Sequence, residues 1–185
     1  PTANGDKLVN LYLNSSKLAN NVPVYPGGVA GDARGMAVTN GKMYFCNRQV
    51  STKPYKYQIV ELDGTTGALL RTIDLPIEML KNGTDTIAYP VNDIQVDDAG
   101  NLFLANMTTD MRETAIPPTP TTRRLRVTYV DVNQTPVVWR TVMDATLPAE
   151  LAAAFRVETF DVSGNVNTGN GFIMAPVSGA EVGAG

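Results

Sequence analysis

Three short stretches of this chain share one pattern at long range. They are Arg34-Gly35-Met36-Ala37-Val38, Asn92-Asp93-Ile94-Gln95-Val96 and Glu158-Thr159-Phe160-Asp161-Val162, which start 58 and 66 residues apart. In each, the third and fifth residues are apolar, the period-2 alternation of a half-buried strand. A turn follows each one: Asn40-Gly41-Lys42, Asp98-Ala99-Gly100-Asn101, and a longer loop from Gly164 to Gly171. Aspartate and asparagine bond their own backbone in such turns, and glycine accepts the positive φ that a short hairpin needs. Second strands come next, and the alignment sets Met43–Asn47, Leu102–Asn106 and Phe172–Pro176 side by side. A recurrence of this kind decides the fold before any local propensity does.

The first two copies continue in step. Tyr57–Asp63 matches Leu125–Asp131, and Ala68–Ile73 matches Val137–Val142 after a turn. Both exits, Leu75-Pro76-Ile77-Glu78 and Leu147-Pro148-Ala149-Glu150, carry a proline and then an acid. That order favours a short helix start, and it predicts helical turns at 76–81 and 148–155. Four antiparallel strands and a linker, repeated, make a propeller blade. The expected fold is all-β: blades of four-stranded antiparallel sheets in an incomplete ring of about two and a half to three blades. Residues 1–31 would hold the outer strand of a preceding blade (Gly5–Leu13) and a linker, 32–87 the first blade, 88–155 the second, and 156–185 two strands of a third. The extra length falls in Gln49–Tyr55 and Thr108–Thr122, the latter holding the stiff run Ile116-Pro117-Pro118-Thr119-Pro120-Thr121. An incomplete ring leaves an open edge. Further blades in a longer protein, copies that complete one another's blades, or an open array would each resolve it.

Composition narrows the chemistry. With 43% hydrophobic and 18% charged residues in 185, the chain is a folded domain with a core. A net charge of −3 disfavours a nucleic-acid or anionic-membrane partner. The one basic cluster, Arg123-Arg124-Leu125-Arg126, reads as a solvated strand face. Histidine is absent, which removes Ser-His-Asp and Cys-His catalysis and histidine-ligated zinc. The single cysteine, Cys46, sits in the apolar run Met43-Tyr44-Phe45-Cys46 and reads as a packed small hydrophobe. No apolar run reaches the roughly 18 residues of a membrane span.

Asp32–Val38, Leu62-Asp63-Gly64-Thr65-Thr66-Gly67 and Asn92–Asn106 resemble secreted six-bladed propellers of the NHL/YWTD-like group. They are similar in particular to the uncharacterised DUF4623-like propeller lipoproteins of gut Bacteroidetes. The resemblance implies an exported bacterial protein, extracellular or at the cell surface and lipid-anchored upstream of this segment, that binds a glycan or a protein. This chain departs from that group in spanning less than half of the expected blades.

In a propeller the innermost strands converge at the channel mouth. Arg34, Asn92 and Glu158 would meet there with Asp93 beside them, and Asn47 and Asn106 end the neighbouring strands. A cation, an amide and a carboxylate together suit a sugar or another small polar ligand; the alternative is that they only hydrate the channel or cap the strands. Asp93, Asp97 and Asp98 invite a calcium reading. They lack the spaced oxygen ligands of a calcium loop, and hairpin chemistry accounts for Asp97 and Asp98, so no metal or cofactor is expected. Trp139 reads as inter-blade packing, and Tyr55, Tyr57 and Tyr89 as candidates for stacking on a sugar ring. The expected function is non-catalytic binding of a glycan or protein partner. Self-assembly into a dimer or filament is the alternative, and a carbohydrate-active hydrolase or lyase using Glu158 and Asp93 is a third reading.

Overall fold

The computed structural model of the chain describes residues 33–49, 56–80, 91–106, 124–146 and 155–179. Gly5–Leu13, Ile116–Thr121, Tyr55, Tyr89 and Arg123 lie outside these residues. Strands β1 (Ala33–Thr39), β2 (Lys42–Gln49), β3 (Lys56–Asp63) and β4 (Leu69–Asp74) form one antiparallel sheet in chain order. Strands β5 (Val91–Val96), β6 (Leu102–Asn106), β7 (Arg124–Asp131) and β8 (Val138–Thr146) form a second sheet with the same order. The chain is thus all-β, as its alternation predicts, with two four-stranded meanders.

Local chemistry makes the turns. Asp63 Oδ1 accepts the N–H groups of Thr65 and Thr66 at 3.0 and 2.7 Å, which folds the chain from β3 into β4. Asp131 Oδ1 accepts the Asn133 N–H at 2.9 Å and begins the corresponding turn of the second sheet. The helix expected at 76–81 is a single 3₁₀ turn, Ile77–Met79, entered through Pro76. It buries Met79 beneath the first sheet's last connection. Its counterpart over 148–155 lies outside the described residues except for Phe155, which opens a strand.

The third region departs from expectation. It contains β9 (Phe155–Val157), β10 (Asp161–Asn165), β11 (Asn170–Met174) and β12 (Val177–Gly179), where β10 pairs with β11 and β9 with β12. The loop expected from Gly164 to Gly171 is a much tighter connection, because the ladder continues to the pair Asn165–Asn170 around a 3₁₀ turn at Val166–Thr168. The register also differs by one residue from the alignment. Val38 faces Met43 and Val96 faces Leu102, yet Val162 faces Ile173 rather than Phe172. A slip of one residue exchanges the two faces of a strand. Ile173 therefore joins the core, while Phe172 and Met174 stand 75% and 51% exposed on the other side.

Side-chain alternation packs these layers. Ala37, Tyr44, Cys46 and Ile59 of the first sheet meet Ile94, Leu102, Leu104 and Val130 of the second in one core. The opposite face of the second sheet presents Phe103, Ala105 and Val127 to Val157, Phe160 and Val162 of the third region. Every residue of β6 is buried, since it is covered on both faces. Full burial of a side chain such as Ile94 or Phe103 contributes about 1.5–3 kcal/mol. Tyr57, expected near a loop as a stacking platform, is 4% exposed inside the first core. Trp139, expected between layers, is 36% exposed on β8 and belongs to neither core.

Candidate functional site

The first strand of each region breaks its ladder at one place. Pairing slips between Arg34 and Met36 in β1 and between Val91 and Asp93 in β5. Between β9 and β10, residues 158–160 lie opposite only 175–176. An extra residue bends a strand and re-aims its side chains. The expected site residues Arg34, Asn92, Asp93 and Glu158 sit at these breaks.

The breaks touch one another. Gly35, at φ +57°, lies so close to the second sheet that a Cβ there would fall 2.6 Å from the Ile94 nitrogen and closer still to the Asp93 carboxylate. Only glycine combines that backbone angle with that approach. On the other side, Asn92 Nδ2 donates to the Glu158 carbonyl oxygen. These contacts join the first strands of the three regions at Gly35, next to Arg34, at Asn92–Asp93 and at Glu158. Arg34 is exposed and Glu158 is half-buried, while Asn92 is 7% exposed. With Nδ2 committed to Glu158, Asn92 Oδ1 is left buried without a donor.

Asp93 has a different part. Its Oδ1 accepts the Ile94 N–H at 2.9 Å, and its Oδ2 accepts the Phe160 N–H at 3.1 Å, the Thr159 hydroxyl and the Gln95 amide at 3.2 Å. A carboxylate so filled by fixed donors clamps β5 to the third region. The hydrolase reading, which pairs Asp93 with Glu158, gains no support from this arrangement. Asp97 and Asp98 continue the clamp. Asp97 holds its own hairpin through Ala99 and Asn101 and accepts the Val166 N–H at 3.1 Å. Asp98 accepts the Gly164 N–H at 2.7 Å, and its own N–H donates to the Gly164 carbonyl. Protein donors thus reach both carboxylate oxygens of Asp93 and Asp97 and Oδ2 of Asp98.

Asn47 and Asn106 join the ladders. Asn106 accepts the Arg126 N–H at 2.7 Å and donates to the Arg124 carbonyl at 2.9 Å, taking over where the β6 backbone stops pairing with β7. Asn47 Nδ2 donates to Gln58 Oε1 at 3.3 Å across β2 and β3. Both amides are engaged across their ladders, which leaves Arg34, Glu158 and the buried, donorless Asn92 Oδ1 of the six expected residues. Cys46 is fully buried, and desolvation pushes its thiol well above the ordinary value, so it stays protonated and inert. Within the basic cluster, Arg124 and Arg126 both bond Asp144 on β8, at 2.8 and 2.9 Å.

Two features escaped sequence reasoning. Glu61, 2% exposed, receives Lys42 Nζ at 2.6 Å and Arg71 Nε at 2.7 Å. Burial alone would raise its pKa; the two bonds override that and hold the carboxyl below its ordinary value. The partners lie on β2 and β4, and the sequence separation between them hides the triplet. The second feature is a polar cleft of about 230 Å³ at the far end of the same strands, lined in part by Thr39, Tyr44, Asn101, Asp131 and Asn133. Its walls come from turns of both sheets, which no single stretch reveals. Comparison with protein-family models, with curated proteins and with solved structures returns no match, so the functional reading rests on the geometry of these residues.

Proposed function

We propose that the chain forms blades of a secreted, bacterial β-propeller of the NHL/YWTD-like type, which binds a glycan at the edge formed by Arg34, Asn92 and Glu158 and does not cleave it. The observation that carries this reading is Asn92 Oδ1, a buried acceptor without a donor on a side chain whose Nδ2 bonds the Glu158 carbonyl. A buried amide oxygen left unpaired costs about 1–3 kcal/mol, and a sugar hydroxyl arriving there would recover it. Arg34 and Glu158 then supply a donor fork and acceptors for neighbouring hydroxyls. Catalysis is disfavoured because Asp93, the second carboxylate of the hydrolase reading, is engaged with backbone N–H groups of β5 and the third region. The layered sheets, with their first strands adjacent, support the propeller assignment, and the resemblance supports export to the cell surface.

Titration calorimetry against neutral and acidic oligosaccharides, followed by mass spectrometry of the recovered sugars, tests the proposal. At least one saccharide should bind saturably, Arg34→Ala should weaken it about tenfold, and every sugar should return with its mass unchanged. A panel without saturable binding, or a shortened product, overturns the reading.

A further inference from the structure

We infer that copies of this chain associate head to tail, the outer face of β1 in one copy covering the outer face of β11 in another. The third residue of the three aligned first strands is Met36, Ile94 and Phe160. Ile94 and Phe160 are 0% and 2% exposed, each packed in the core shared with the preceding layer, whereas Met36 is 52% exposed. Two residues on, Val162 is 4% exposed and Val38 is 54% exposed. The first sheet thus presents an apolar face built like those that the next two layers bury.

The opposite end shows the complementary half. By strand register Met174 occupies the place of Phe103 and Tyr44, since it faces Asp161 as they face Gln95 and Ala37. Tyr44 is buried by the second sheet and Phe103 by the third region, but Met174 is 51% exposed and its neighbour Phe172 is 75% exposed. The described residues therefore build the same kind of junction twice and leave one exposed half on the first sheet and one on the third region. A second copy of this chain offers the matching half by construction, because its own β11 face continues the interface type already present. Such a contact is heterologous, using different patches on the two copies, and so it propagates to a ring or a filament. The inference stands on the burial pattern alone and does not depend on the glycan edge.

Sedimentation velocity of the 185-residue chain over a wide concentration range reads the association directly. The wild type should populate dimers and larger species as concentration rises. Met36→Lys and Phe172→Lys should each remain monomeric with an unchanged circular dichroism spectrum, and Met174→Lys replaces Phe172→Lys if that variant does not fold. An equimolar mixture of the two single variants retains one intact face on each partner and should give a dimer and nothing larger. A wild type that stays monomeric throughout, single variants that still assemble, or a mixture that stays monomeric would each overturn the inference; in the first case further layers of a longer chain become the reading for these faces.

Discussion

The contact between the two sheets and the contact between the second sheet and the third region solve one problem by different means. The first is largely apolar and steric. Gly35 admits Asp93 and the Ile94 backbone, and Tyr44, Cys46 and Ile59 meet Ile94 and Leu104 across a wide core. Its charges close within the first sheet, where Glu61 holds both Lys42 and Arg71. The second contact is laced with hydrogen bonds. Asp93, Asp97 and Asp98 all accept from the third region, and Asn92 donates to it. Where Glu61 pairs with Arg71, the second sheet has Tyr129 beside Arg140, whose guanidinium lies 5.8 Å from the ring centroid. With no carboxylate opposite it, Arg140 reaches Asn167 Oδ1 at 2.6 Å instead. The described part of the third region has only paired strands in place of a four-stranded sheet, and it gains from bonds what it lacks in apolar area.

The largest expected effect falls on the steric contact. Gly35→Ala places a methyl against the Asp93 carboxylate and the Ile94 nitrogen at a left-handed backbone position. The backbone penalty of about 1–2 kcal/mol and overpacking of about 1–3 kcal/mol together predict a loss of about 2–5 kcal/mol, read from the urea midpoint. Asp93→Ala comes next, because it leaves the buried Phe160 N–H without an acceptor at about 1–3 kcal/mol. The two variants should differ in where they act. Hydrogen exchange in Asp93→Ala should accelerate over 155–179 and spare 33–80; uniform acceleration would mean that the layers unfold as one body and that the contrast between the contacts carries no consequence.

Much of the fold was legible, and for a definable reason. Alternation in Arg34–Val38, Asn92–Val96 and Tyr57–Asp63 is a property of a strand alone, so it predicts the strands and the antiparallel meanders they form. What failed required knowledge of a partner. The register of Phe172 against Ile173 depends on how far the β10–β11 ladder runs past Gly164, and glycine-rich sequence leaves that weakly specified. At the site, the contact between the Asn92 and Glu158 positions followed from the alignment. The capture of Asp93, Asn47 and Asn106 by neighbouring backbone and side chains did not, because the donors at Phe160, Gln58 and Arg126 are long-range or carry no sequence signature. Tyr57 misled because its neighbours look like a loop while its side chain enters the core.

The closed charge set of the first sheet predicts an acid-sensitive difference. Burial opposes ionisation of Glu61 and of Asp144, but bonds from Lys42 and Arg71 and from Arg124 and Arg126 hold both below their ordinary values. A carboxylate depressed in the folded state adds stability above about pH 4, its unfolded value, and loses it as pH falls through the folded one. Glu61→Gln should therefore cost about 1–3 kcal/mol at neutral pH. The gap from wild type should narrow below pH 4 as the native carboxylate takes up its proton. A gap that is constant from pH 7 to strong acid would show that Glu61 acts by shape rather than charge.

The smallest effect separates the two arginines. Arg140→Ala removes the contact over Tyr129 and the bond to Asn167, together about 0.5–1 kcal/mol at an exposed site. Its signature should be local: faster exchange in the turn Val166–Thr168, with the first sheet unchanged. Arg71→Ala is the matched control, since its guanidinium serves Glu61 inside its own sheet. That variant should leave Val166–Thr168 untouched and disturb β3 and β4. If both variants loosen the same turn, or neither does, then the exchange of Glu61 for Tyr129 is a neutral substitution and Arg140 does not couple the second sheet to the third region.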